Sequence, residues 1–213
     1  MLTVNEIFHS IQGESTHAGR PCVFVRLTAC DLRCSWCDTP YAFHEGTKMT
    51  VDEVLEKVRA YGCDVVEVTG GEPLLQKDVY PLMERLLADE RTVLLETGGH
   101  RDASEVPAGV RRIIDVKCPA SGEASKMHWP NLDQLRPSDE VKFVLQDRAD
   151  YEYARDVSAT HRLADRCAAV LFSPVHGVLD PQALAAWMLA DRLTARLQLQ
   201  AHKYIWDPAT RGV

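Results

Sequence analysis

Long apolar runs are missing from this 213-residue chain. The longest, Ala183 to Ala190, is far shorter than the ~20 residues a membrane-spanning helix needs. Basic runs are missing too. No Lys/Arg stretch exceeds Arg111-Arg112, and 24 basic residues stand against 31 acidic ones, a net charge of −7. Proteins that grip polyphosphate backbones carry a basic face, so neither nucleic acid nor membrane is an expected partner. The opening residues, Met1 to Glu6, contain no basic segment followed by an apolar one, and the expected location is the cytoplasm. No repeat, low-complexity tract or Pro/Gly/Ser-rich linker divides the chain, so one domain over residues 1–213 is expected. With 46% hydrophobic residues the chain has enough apolar side chains to build a core, which excludes wholesale disorder. The seven cysteines are odd in number and read as reduced thiols rather than a disulfide framework.

Short β-branched runs recur: Cys22–Leu27, Asp64–Thr69, Thr92–Glu96, Arg112–Val116, Val141–Leu145, Ala169–Phe172 and Arg196–Leu199. Several are nearly continuous apolar strings, as in parallel strands covered by helices. Thr50 and Glu53 form a capping box opening a helix over Val51–Ala60, and Leu82–Ala88, Tyr151–Thr160 and Pro181–Leu193 are further candidate helices. Strand–helix alternation at this spacing predicts an α/β fold with a parallel sheet. The units are too few for a closed eight-stranded barrel, so a partial (incomplete) βα barrel is expected. Chemistry in such folds gathers at the carboxyl ends of strands. The unusual segments lie there: Thr28–Thr39, Gly70-Gly71-Glu72-Pro73, Thr97-Gly98-Gly99 and Lys117–Gly122 each follow a predicted strand.

Cys30, Cys34 and Cys37 place three soft ligands on one loop. Three thiolates can hold three corners of a [4Fe–4S] cube and leave the fourth iron free of protein. A structural zinc site needs a fourth ligand, for which Cys22, His44, Cys63 and Cys118 are available, and three buried thiols with no metal are also possible. Cys22, Cys63 and Cys167 stand in or beside apolar runs and read as core residues.

This spacing, with Trp36 before the last cysteine, resembles the CxxxCxxC signature of the radical S-adenosylmethionine (SAM) superfamily, and Gly70-Gly71-Glu72-Pro73 resembles its GGEP motif. The resemblance implies a partial barrel of the radical SAM type, a [4Fe–4S] cluster held by Cys30, Cys34 and Cys37, and SAM bound on the open iron. The glycines would let backbone approach that ligand, with strand-end carbonyls and Glu72 accepting from its ammonium group.

Further segments are more discriminating. Phe8-His9-Ser10-Ile11-Gln12-Gly13-Glu14, Ala18-Gly19-Arg20-Pro21, Phe24-Val25-Arg26 and the closing Leu199 to Trp206 resemble the 7-carboxy-7-deazaguanine synthases, from about Val4 to the end. That resemblance implies a radical lyase contracting the ring of 6-carboxy-5,6,7,8-tetrahydropterin to 7-carboxy-7-deazaguanine with loss of ammonia, in queuosine and 7-deazapurine biosynthesis. It implies Mg²⁺ on Thr39, substrate contacts from Ile11, Gln12, Gly13, Arg26, Thr69 and Val213, and SAM contacts from Trp36, Cys37, Asp38, Gly71, Asp115, Lys117 and Ser173. His202 is a further candidate. Where the family often has Ser-Pro-Lys, this chain has Asp115-Val116-Lys117. An electron donor such as flavodoxin or ferredoxin, and a homodimer, are also implied. Two other readings stand beside this one: a glycyl-radical activating enzyme, and a zinc-stabilised βα binding module. For Arg26, a structural ion pair with Glu14 is the competing role.

Overall fold

The computed structural model describes all 213 residues. Nine strands form one open sheet in the order β3-β1-β2-β4-β5-β6-β7-β8-β9. They are β1 (Leu2–Ile11), β2 (Pro21–Leu27), β3 (Thr47–Met49), β4 (Val65–Gly70), β5 (Thr92–Thr97), β6 (Arg111–Asp115), β7 (Glu140–Leu145), β8 (Ala169–Pro174) and β9 (Arg196–Leu197). From β2 to β9 every pairing is parallel, whereas β1 runs antiparallel to both β2 and β3. The helices are α1 (Val51–Ala60), α2 (Val79–Ala88), α3 (Pro130–Asp133), α4 (Arg148–Thr160), α5 (Pro181–Ala190) and α6 (His202–Ile205). The open parallel sheet is the expected partial barrel.

Strand alternation divides the sheet into two faces. On one, Val23, Val25, Val66, Val68, Val93 and Leu95 pack with α1 and α2, while Val141, Phe143, Val170 and Phe172 pack with α4 and α5 in a second core. The other face is polar above a small apolar patch of Phe8, Cys22, Phe24, Val65, Leu94 and Ile113. The capping box of α1 is present: Thr50 Oγ1 accepts from Glu53 N–H, and the Glu53 carboxylate accepts from Thr50 N–H.

Strand β1 is absent from the sequence reading because its period breaks. A bulge between Val4 and Glu6 shifts the register, so Leu2 and Val4 face the helix-covered core while Phe8 faces the opposite patch. Helix α2 begins three residues earlier than expected, with Pro81 in its first turn, where no intrahelical N–H bond is required. Helix α5 stops at Ala190 and β9 at Leu197, both short of expectation.

Candidate functional site

The polar face of the sheet lines a cavity of about 790 Å³, within the range of small-molecule sites. Its mouth is the loop carrying Cys30, Cys34 and Cys37 between β2 and β3. Neighbouring loops hold this loop firmly. Ser35 N–H and hydroxyl donate to the carbonyls of Ser121 and Ala120, Arg33 N–H donates to Glu123, and His100 Nε2 lies 2.6 Å from Asp31. Cys30 and Cys34 are half-buried and Cys37 is exposed, all as free thiols. Burial pushes the Cys30 and Cys34 thiols up; the Lys117 ammonium opposes this, while Cys30 and Cys37 reinforce it at Cys34. No three His, Cys, Asp or Glu side chains converge to hold a single metal ion. Cys22, Cys63 and Cys118 are buried in the hydrophobic cores.

Gly70 and Gly71 are required by the protein itself. A Cβ on Gly70 would stand 2.1 Å from the Leu27 carbonyl oxygen, and one on Gly71 2.2 Å from that of Ala29. The GGEP turn is thus packed directly on the cysteine loop, and Glu72 N–H donates to Ala29 at 2.8 Å. Glu72 is fully buried and its carboxylate accepts from Leu74 N–H, Thr97 Oγ1 and Gly98 N–H. Glu72 ties the ends of β4 and β5 together and also lines the cavity.

Deeper in the cavity, charged side chains from successive strands share the polar face. Arg26 on β2 pairs with Glu6 at 2.7 Å, so the competing role, an ion pair with Glu14, is not found; the β1–β2 register puts Glu6 directly opposite Arg26. Glu14 instead meets Lys142 on β7 at 2.9 Å and accepts from Gln198 and Gln200. Lys142 also binds Glu96 on β5. Burial disfavours both charges of the Glu14–Lys142 pair, yet mutual attraction wins: Glu14 is held below the ordinary carboxylate range and Lys142 well above the ordinary lysine range. Lys117 pairs with Asp115 at 2.7 Å, and Asp115 Oδ1 is buried with no partner.

Asp38 faces the cavity, where surrounding protein would raise its carboxyl; the Lys203 ammonium at 2.8 Å overrides this and holds it far below the usual range. Thr39 Oγ1 donates to the same carboxylate at 3.0 Å. Gly13 lies against α6, where a Cβ would stand 2.2 Å from His202 Nδ1. The C-terminal residues close one side: Arg211 stacks 3.7 Å over the Tyr41 ring, and Val213 reaches the wall.

The cavity brings together Ile11, Gln12, Gly13, Arg26, Thr69 and Val213, the three cysteines, Trp36, Asp38, Thr39, Gly71, Asp115 and Lys117, with His202 beside Gly13. Ser173 is not among its lining residues. Strand β8 runs past Phe172 to Pro174, so Ser173 is a strand residue, fully buried with an unpartnered hydroxyl; Val175 and His176 reach the wall instead. Sequence reasoning missed Glu67, Glu96, His100 and Lys142, and it quoted Glu14 without giving it a place in the site. Their signal was present: Glu67 and Lys142 interrupt apolar strands at alternate positions, which places them opposite the core-facing valines.

Residues 25–156 match the radical SAM superfamily. The chain is 50% identical to the 7-carboxy-7-deazaguanine synthase of Koribacter versatilis, with both proteins covered completely. It is 46% identical to that of Chlorobaculum tepidum, over 100% of this chain and 97% of the relative. The crystal structure of QueE from Escherichia coli shares the fold, with a TM-score of 0.72 over 94% of each chain at 21% identity.

Proposed function

The chain belongs to the radical SAM superfamily and, within it, to the 7-carboxy-7-deazaguanine synthases, and from that premise we propose how its own residues share the work of this radical lyase. The reaction converts 6-carboxy-5,6,7,8-tetrahydropterin to 7-carboxy-7-deazaguanine and ammonia. The observation that carries the reading is a single cavity lined both by the three loop cysteines and by Arg26 with the Gln12–Glu14 segment.

The donor set fits a [4Fe–4S] cluster: three thiols on one braced loop, open to the cavity, with no fourth protein ligand beside them. When bound, the cluster and SAM supply an electron and a 5′-deoxyadenosyl radical able to take hydrogen from C6 of the pterin. Cys30, Cys34 and Cys37 hold the iron. Trp36, Asp38, Gly71, Asp115 and Lys117 hold SAM, and the unpartnered Asp115 Oδ1 is an acceptor left for it.

Arg26 binds the pterin carboxylate through a guanidinium already oriented by Glu6. Backbone groups of Ile11, Gln12 and Gly13, the Thr69 hydroxyl and Val213 surround the ring. Thr39 fits Mg²⁺ as a single hydroxyl ligand beside the Asp38 carboxylate, the remaining positions falling to substrate oxygens and water. A reduced flavodoxin or ferredoxin supplies the electron. A homodimer is the assembly that the family resemblance implies. No helix is long and apolar enough to cross a membrane, and the cytoplasm is the proposed location. All 213 residues serve one domain.

The test is an anaerobic reaction of reconstituted protein with SAM, Mg²⁺, reductant and the pterin, read by mass spectrometry. Formation of 7-carboxy-7-deazaguanine that requires both cluster and SAM is expected. Pterin-independent 5′-deoxyadenosine with no deazaguanine would overturn the substrate reading and favour a protein substrate.

A further inference from the structure

Glu67 lies on β4 between Val66 and Val68, at a position that faces the cavity. It is 3% exposed, and its only hydrogen bond is accepted from Gln12 Nε2. Gln12 is itself fixed from the other side, since its Oε1 accepts from Glu14 N–H at 2.7 Å. One oxygen of Glu67 therefore serves Gln12, and the other is left without a protein partner on the cavity wall.

The cations around it are all committed elsewhere. Lys142 binds Glu14 and Glu96, and Arg26 binds Glu6. Three carboxylates, Glu14, Glu67 and Glu96, thus share a floor with one ammonium, and Glu67 is the one with no ion pair. An isolated buried carboxylate is costly enough that the group takes up a proton instead. Burial, joined by the negative charges of Glu96 and Glu14, pushes its carboxyl well above the ordinary range.

We propose that Glu67 stands in the cavity as a neutral carboxylic acid and donates its O–H to an acceptor of the pterin ring, ring nitrogen N1 or carbonyl O4. This rests on the pterin reading above. The division of labour follows from the chemistry of the substrate. Its carboxylate requires a cation, which Arg26 provides, whereas its heterocycle is uncharged and is matched by a neutral donor. A carboxylate at position 67 would repel those acceptors and would add a third negative charge beside Glu14 and Glu96.

Two substitutions and a spectrum test this, all on cluster-loaded protein. Glu67→Gln retains both a carbonyl for Gln12 and a neutral N–H donor for the ring; Glu67→Leu removes both. Pterin KM is expected to rise about tenfold in Glu67→Leu, as for the loss of one to two hydrogen bonds, and no more than about threefold in Glu67→Gln. Equal damage from Gln and Leu would mean that an ionised carboxylate is needed, and would overturn the proposal. Infrared difference spectra of wild type against Glu67→Gln at pH 7.5 are expected to show a protonated-carboxyl band that only wild type contains; its absence would equally refute the proposal. The spectrum requires no substrate, so failure of wild type to make deazaguanine would strike the pterin reading and remain distinguishable from failure at Glu67.

Discussion

Replacing Lys142 with Met tests whether the charges on the cavity floor act as one unit. Methionine keeps most of the aliphatic stem and removes only the ammonium. That ammonium is 5% exposed and holds Glu14 at 2.9 Å together with Glu96. Breaking a buried ion pair from one side costs about 3–5 kcal/mol, because the partner charge is left behind. Here the partners are 18% and 28% exposed and within reach of water, so the low end applies, about 3 kcal/mol at pH 8. For a chain of this length that corresponds to a melting point lower by about 6–12 °C.

The pH dependence of this loss has a definite sign. In wild type, burial would raise the Glu14 carboxyl, but Lys142 draws it below its ordinary range. A carboxyl depressed in the folded state stabilises the protein above its unfolded pKa, and that contribution disappears as pH falls through the folded one. Without Lys142 the burial effect loses its strongest opponent, with Gln200 and His202 remaining, and the carboxyl rises. The variant is then penalised most at high pH and relieved as protons bind. Anaerobic thermal unfolding of cluster-loaded protein from pH 8 to pH 5 should show the gap between wild type and Lys142→Met narrowing as pH falls. A gap that widens toward pH 5, or equal melting points at pH 8, would refute the reasoning.

Other substitutions separate the remaining roles. Arg26→Ala should leave cluster iron intact while raising pterin KM about tenfold to a hundredfold, the range for a lost charge-assisted hydrogen bond; an unchanged KM removes Arg26 from the carboxylate site. Thr39→Ala should flatten the response of turnover to added Mg²⁺ without altering pterin-free SAM cleavage, and a wild-type Mg²⁺ titration curve would count against it as a ligand. Gly71→Ala places a methyl 2.2 Å from the Ala29 carbonyl and should lower cluster iron by displacing the cysteine loop. Full iron content in that variant would show that the loop and turn are not coupled.

Different physical signals made different parts of this protein legible in its sequence. The parallel strands could be read because their short β-branched apolar runs recur along the chain, and α1 because its cap is a local reciprocal bond between Thr50 and Glu53. Strand β1 escaped because one bulged residue inverts its period, an event set by pairing with β2 rather than by β1 itself. The cysteines and the GGEP turn announce themselves by residue type at fixed spacing. The cavity floor does not, because Glu14, Glu67, Glu96 and Lys142 come from four distant segments and acquire their chemistry only when the sheet curls. Their partners follow the same logic: Arg26 looked available to Glu14, yet strand register delivers Glu6 to it and leaves Glu14 to Lys142. Even the GGEP turn shows how far a motif reaches. Its glycines are needed by the carbonyls of Leu27 and Ala29, and its glutamate by Thr97 and Gly98. The motif thus braces the cysteine loop and joins two strand ends, whereas Glu67, Glu96 and Lys142 on the cavity floor stand at strand positions outside every motif. It follows that relatives keeping the cysteine loop and GGEP turn but differing at the positions of Arg26, Glu67 and Lys142 should retain SAM cleavage while changing what the radical attacks.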